Sequence, residues 1–102
     1  MVLNDLGAQY AGRGLVGQAE TLLTRAAALK KKTLGPGHPD LAVTLNNLAV
    51  LRKRQGDVAA AAALYAEAVA IFERSLGADH PKTVTCRANA ARCAAAVRKS
   101  LA

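Results

Sequence analysis

A period of 42 residues constrains this chain more than any other feature. Leu34-Gly35 and His38-Pro39 return as Leu76-Gly77 and His80-Pro81, and Gly35 and Gly77 stand 42 positions apart. At the same offset Leu45-Asn46 and Leu48 look back to Leu3-Asn4 and Leu6, while Asn47 and Ala49 look forward to Asn89 and Ala91. A unit of this size copied along a chain signals a solenoid, in which each unit buries its apolar face only against the next. The 102 residues hold about two and a half copies and enough apolar surface for one modest core. The expected organisation is a single domain over 1–102, with a first repeat over 1–38, a second over 39–80 and a closing half repeat over 81–99.

Helical spacing of Leu3, Leu6, Gly7 and Tyr10 predicts a short first helix, broken at Gly12-Arg13-Gly14. Ala19, Leu22, Leu23, Ala26 and Leu29 then form an apolar stripe that predicts a second helix from Val16 to Leu34. Gly35 suits the left-handed position after a helix end, and the proline that follows His38 pushes it into extended backbone. Pro39 fits the first position of a third helix, where Asp40 meets the positive end of the helix dipole. That helix runs to about Gln55. Asp57 is a good N-cap for a fourth helix carrying Val58, Ala61, Leu64, Tyr65, Ala68, Ile71 and Leu76. A fifth follows Pro81 to about Lys99, with Arg87 and Ala90 where the preceding copy has Leu45 and Leu48. Having less to bury, it reads as the closing helix of the stack. One Phe, two Tyr, no Trp and abundant alanine suit closely packed helices rather than a β-sandwich, so the expected class is all-α.

Charge narrows the partner. Fourteen Lys and Arg stand against seven Asp and Glu, a formal net charge of +7. After Asp79 come Lys82, Arg87, Arg92, Arg98 and Lys99 with no acid, which favours an acidic partner. The N-terminal stretch has neither the basic region nor the continuous apolar region of a signal peptide, and no apolar run could span a bilayer. The expected setting is cytoplasmic, with no membrane partner. Cys86 and Cys93 lie seven apart on one predicted helix, roughly 10 Å along its axis and beyond disulfide reach. They read as small buried or half-buried thiols.

Leu6-Gly7-x-x-Tyr10 with Ala19-x-x-x-Leu23, and Leu48-Ala49 with Ala61-x-x-x-Tyr65, resemble tetratricopeptide repeats. Their usual period is about 34 residues. The longer period here, with its LGxxHPxxAxxLNNLA junction, is similar to the repeats of kinesin light chains and nephrocystin-3-like proteins. The resemblance implies a right-handed α-solenoid of antiparallel helix pairs, five helices in all. It also implies a concave groove, lined by the first helices of successive pairs, that receives an extended or helical peptide. Two departures stand out: Arg52 occupies the position of Tyr10, and the last copy lacks its second helix and most of its large apolar residues.

On the third helix Leu45, Leu48 and Ala49 make the packing face. Val43, Asn46, Asn47, Val50 and Arg54 lie around the other face, with Lys53 at its margin. The 42-residue offset carries that surface to Asn4, Asp5 and Ala8 in the first copy and to Ala88, Asn89 and Arg92 in the last. An asparagine amide both donates and accepts, so a ladder of them can pair with a peptide backbone whatever its side chains. Lys53, Arg54 and Arg92 would add attraction for acidic residues. The expected peptide-binding set is therefore Asn4, Val43, Asn46, Asn47, Val50, Lys53, Arg54, Asn89 and Arg92. The opposing expectation is that the asparagines brace neighbouring repeats and the cations form a solvated face.

Other motifs carry less. Gly12 to Gly17 spells G-x-G-x-x-G, but no strand precedes it and no βαβ unit follows. His38 and His80 sit in equivalent loops without metal-ligand spacing around them, which points to hydrogen bonding within the loop or packing against the next repeat. Lys30-Lys31-Lys32 complements the dipole at a helix end. No nucleophile, base or paired-carboxylate arrangement suggests an enzyme, and no cofactor or metal is expected. The leading functional expectation is a protein-interaction module or scaffold for a short acidic peptide. The second is a stacking or oligomerisation piece of a longer array, with self-association. The third is weak, non-specific nucleic-acid binding through the basic C-terminal helix, which lacks stacking aromatics.

Overall fold

The computed structural model describes residues 16–101, with side chains over 17–99. Four helices fill this range: α1 (Val16–Leu34), α2 (Pro39–Arg54), α3 (Val58–Leu76) and α4 (Pro81–Leu101). Five were expected; the first of them, with Leu3, Leu6 and Tyr10, lies outside the described residues. Each helix packs on its neighbour in the chain, α1 on α2, α2 on α3 and α3 on α4. That is the arrangement a repeated helical hairpin dictates, because a one-sided apolar stripe can be covered only by the next unit.

The connecting loops explain why the helices start and stop where they do. Gly35 and Gly77 have φ of +95° and +94°, a region that a residue with a Cβ rarely enters. His38 then takes extended backbone at φ −78° and ψ 135°, and its Nδ1 accepts a 3.0 Å hydrogen bond from the Asp40 N–H. His80 repeats this with the Lys82 N–H at 3.1 Å. Histidine is an unusual cap, but its Nδ1 hangs from the ring much as a carboxamide oxygen hangs from Asn, and it meets one of the orphan donors of the first turn. The loop role expected for both histidines is thus observed. Asp57 caps α3 through Oδ1, which accepts from the Ala60 N–H at 3.1 Å.

Two apolar clusters hold the stack. The larger joins Leu41, Ala42, Leu45 and Ala49 of α2 to Ala61, Tyr65, Ala68, Ile71 and Phe72 of α3 and to Cys86 and Cys93 of α4. The smaller joins Ala19 and Leu23 of α1 to Leu48 and Leu51 of α2, with Leu64 of α3 against them. Alanine at the contact positions lets the helix backbones approach, and the larger side chains fill the space beside them. Both thiols are buried and unlinked, and the Cys93 thiol donates to the Val58 carbonyl at 3.3 Å, tying α4 to the start of α3.

Two expectations need correction, and one residue of the lysine run has a use that the sequence does not show. Leu29, expected in the buried stripe of α1, is 44 % exposed, whereas its counterpart Ile71 is 8 % exposed. Phe72, absent from the expected α3 stripe, is buried. Of the three lysines expected to complement the dipole at the end of α1, Lys31 and Lys32 lie exposed in its last turn, whereas Lys30 is turned to a second use. Lys30 is 3 % exposed, and its Nζ donates to the Thr44 hydroxyl at 2.8 Å and to the Asp40 carbonyl at 3.2 Å. An ammonium survives burial only when acceptors surround it, and the first two turns of α2 supply two.

Ion pairs replace apolar contacts at the two departures noted in the repeat pattern. Arg52 reaches Glu20 of α1 at 2.6 Å, and the Gln55 Nε2 donates to the same carboxylate at 3.0 Å. Arg87, where the preceding copy has Leu45, reaches Glu73 of α3 at 2.8 Å.

Candidate functional site

Helices α2 and α4 hold equivalent places in successive copies, and one face is common to them. On α2 the side chains of Val43, Asn46, Asn47 and Val50 are half-buried, and Lys53 and Arg54 are exposed at its C-terminal end. Val43 and Val50 also pack against the larger core cluster, so they are partly structural. On α4 Asn89 is half-buried and Arg92 exposed. Asn4 lies outside the described residues.

Between the facing parts of α2 and α4, above the end of α3, lies an open depression of about 340 Å³. Val43 and Asn46 form one side, Lys82, Thr85 and Cys86 the other, with Pro81 at the helix start and Phe72 at the α3 side. The lining is mostly apolar. Lys82 is its one cation and Asn46 its one carboxamide. Of the expected set, then, Val43 and Asn46 are brought to one cavity together with Phe72, Lys82, Thr85 and Cys86, none of which belongs to that set. Thr85 could have been found, since it is the 42-residue counterpart of Val43. Phe72 and Cys86 could not, because their place depends on how α3 and α4 cross.

The polar contacts of this face are specific. The Cys86 thiol donates to the Asn46 Oδ1 at 3.6 Å, bridging the first helices of two copies. The Arg92 Nη2 donates to the Asn89 Oδ1 one turn away on the same helix. One asparagine, Asn46, therefore does brace a neighbouring repeat, in line with the opposing expectation. Burial pushes the Cys86 thiol up from its ordinary range, which keeps the sulfur protonated and able to donate. Burial likewise pushes the Tyr65 phenol up; the nearby thiols of Cys93 and Cys86 add to this and the Arg92 guanidinium opposes it. Among the described residues no group of three His, Cys, Asp or Glu side chains could hold a metal ion. No described helix is long and apolar enough to cross a membrane.

The face is thus suited to non-covalent contact: an apolar depression, carboxamides beside it and cations around them. Known proteins agree with the architecture. A tetratricopeptide-repeat family model matches residues 1–74 and, in a second register, 45–100. Among solved structures, a Podosopora anserina protein assigned as a kinesin light chain, with nearly identical TPR-like repeats, superposes with a TM-score of 0.83 at 28 % identity. The match covers 96 % of this chain and 46 % of that one, so this chain spans less than half the length of that relative. A form of the same protein carrying one glutamine-to-methionine substitution matches with the same TM-score, identity and coverage. No curated protein sequence matches. The chain belongs to the tetratricopeptide-repeat family, in its kinesin light chain type.

Proposed function

We propose that this chain is a protein-interaction module that receives a short acidic segment of a partner along the face common to α2 and α4. Tetratricopeptide repeats are generally protein-interaction scaffolds, and the observation that carries the finer reading is the depression between the two helices. It offers an apolar wall for a side chain, Asn46 for the backbone beside it and Lys82 for a carboxylate. Lys53, Arg54 and Arg92 and the net charge of +7 extend the attraction beyond the cavity. Binding is expected to weaken as salt screens these charges. No catalytic step belongs to the proposal. Two buried, unlinked thiols suit a reducing compartment, which favours a cytoplasmic setting.

Fluorescence anisotropy with labelled acidic and scrambled neutral peptides tests it. The wild type is expected to prefer the acidic peptide, and the double variant Asn46→Ala/Lys82→Ala to bind about tenfold more weakly, the order expected for two lost hydrogen bonds. Equal binding by the two proteins would sink the reading.

A second reading has one observation in its favour. A groove between α3 and α4, lined by Ala62, Ala66, Val69, Ala90, Ala91 and Ala94 with Arg87 as its one charged residue, is the 42-residue counterpart of the α1/α2 surface on which α3 sits. It is shaped for the second helix of another repeat, and stacking through it would make the chain part of a larger array. Light scattering over a concentration series decides: a strict monomer at high concentration excludes self-stacking.

A further inference from the structure

The groove between α3 and α4 stands in the register of the surface that carries α3, but its walls are smaller. Ala62, Ala66, Ala90 and Ala94 line it where the earlier copy has Glu20, Thr24, Leu48 and Arg52. Four side chains are cut back to a methyl group, and an open volume of about 410 Å³ remains. The adjoining face of α4 is uncovered as well. Ala42 of α2 is fully buried, whereas its counterpart Val84 is 49 % exposed. Val84, Arg87, Ala91 and Ala94 follow one another at three- and four-residue steps and so share one side of the helix.

A helix shaped like α3 underfills this groove. Leu64 of α3 packs against the cluster that contains Leu48; over Ala90 the same leucine loses that neighbour and faces a void. Larger apolar groups are needed. A second copy has none to offer from its equivalent helix, since Ala19, Leu23 and Ala26 of α1 are at most 2 % exposed within their own chain. Two copies also approach with a formal charge of +7 each, and α4 carries Lys82, Arg87, Arg92, Arg98 and Lys99 without an acid. Like charge opposes that contact and favours a partner bearing carboxylates.

We infer that the groove seats an amphipathic helix of a different protein, with a bulky apolar side chain such as Trp or Phe toward Ala90 and with Asp or Glu on the flank that lies over α4. The inference rests on the reading of this groove as a seat for a helix, not on the acidic-peptide reading of the α2/α4 face. It names an occupant with larger side chains than the repeat itself supplies. Arg87 is the contact for a carboxylate of that flank. Its guanidinium already donates to Glu73 at 2.8 Å, but both side chains are nearly half exposed, and the remaining N–H groups can serve a second acceptor.

The test uses helical peptides that carry the inward residues of α3, namely Ala61, Leu64, Tyr65, Ala68, Ile71 and Phe72, at their own spacing. The first has Glu and Gln elsewhere; the second adds Trp in place of the leucine; the third is the second with Lys for Glu. Anisotropy against the full chain gives the affinity, and the alanine methyl signals by NMR give the site. The wild type is expected to bind the second peptide about tenfold more tightly than the first, the order expected for filling a void of a few carbon atoms. It should bind the third more weakly than the second, and the methyl signals of Ala62, Ala66, Ala90 and Ala91 should move. Ala90→Leu, which restores the side chain of the earlier copy, is expected to reverse the preference between the first two peptides. Ala91→Arg fills the groove from an exposed position and is expected to abolish binding with an unchanged Tm. If Ala90→Leu does not fold, the wild-type comparison and Ala91→Arg decide alone. Equal affinity for the first two peptides, or for the second and third, overturns the inference and leaves the helix seat in place. A dimer in light scattering that Ala91→Arg dissolves makes a second copy the occupant and overturns it too. If no peptide moves the groove methyls and the chain stays monomeric, the helix-seat reading falls and the inference with it.

Discussion

Lys30 and Thr44 meet where α1 hands over to α2; Phe72 and Cys86, each 42 positions on, come together where α3 hands over to α4. The backbone register is the same, yet the first junction is filled by an ammonium on a hydroxyl and a carbonyl. The second is filled by a buried ring and a thiol. The difference teaches that this repeat specifies a volume and a geometry at the junction rather than a polarity, provided that any polar group placed there finds its partners. It also bears on function, because only the second junction opens into the apolar depression beside Asn46.

The largest effect should come from emptying the apolar junction. Phe72→Ala is expected to cost about 3–5 kcal/mol, the usual range for a truncated buried aromatic, read from urea denaturation. A loss below about 1 kcal/mol would mean that the second junction collapses freely and is not the core of the stack.

Breaking the polar junction is the sharper experiment. Thr44→Val deletes the closer of the two acceptors around Lys30 and leaves a buried ammonium on one carbonyl, at an expected cost of about 1.5–3 kcal/mol. Converting the first junction to the second, with Lys30→Phe and Thr44→Cys together, should return stability to within about 1 kcal/mol of the wild type, since no buried charge remains to be satisfied. If the paired change is instead as destabilising as Thr44→Val alone, the two junctions are not interchangeable and the comparison fails.

Much of this architecture was legible in the chain itself. The 42-residue echo, the two Gly/His-Pro loops and the packing face of Leu45, Leu48 and Ala49 are local patterns, and a helical period with its stop signals suffices to read them. Lys30 was not legible, because three consecutive lysines at a helix end look alike until the next helix shows which of them it covers. The site divides the same way. The face holding Val43, Asn46, Asn47 and Val50 follows from helical geometry, whereas the partner of Asn46 lies 40 positions away and depends on the crossing of α2 and α4. The bond from Arg92 to Asn89 spans three residues and could have been anticipated from helical spacing.

Position 83 inverts the comparison. Leu41 of α2 is buried, and its counterpart Thr83 on α4 is equally buried but leaves its Oγ1 without a hydrogen-bond partner. Here a polar atom has entered the stack without the satisfaction that Lys30 receives. Thr83→Val keeps the shape and removes the orphan, so it should stabilise the chain by about 1 kcal/mol, seen as a raised urea midpoint with unchanged slope. A destabilising outcome would show that the hydroxyl has a role in the native packing.

The smallest effects are expected at the two clasps. Glu20 is held by both Arg52 and Gln55, and the pair is about a third exposed; Glu73 is held by Arg87, with both side chains nearly half exposed. Solvent screening leaves exposed pairs of this kind about 0–1 kcal/mol, with the more open one toward the bottom of that range. Arg52→Ala should therefore cost more than Arg87→Ala, and the gap should narrow as salt is raised. Arg87 stands where the preceding copy buries Leu45, so Arg87→Leu asks whether α4 could have been built like α2. It should leave stability within about 0.5 kcal/mol of the wild type, because the side chain lies at an open groove where a larger apolar group gains little burial. A gain of several kcal/mol would mean instead that α4 retains the packing surface of a first helix and that only its sequence has turned it into a closing one.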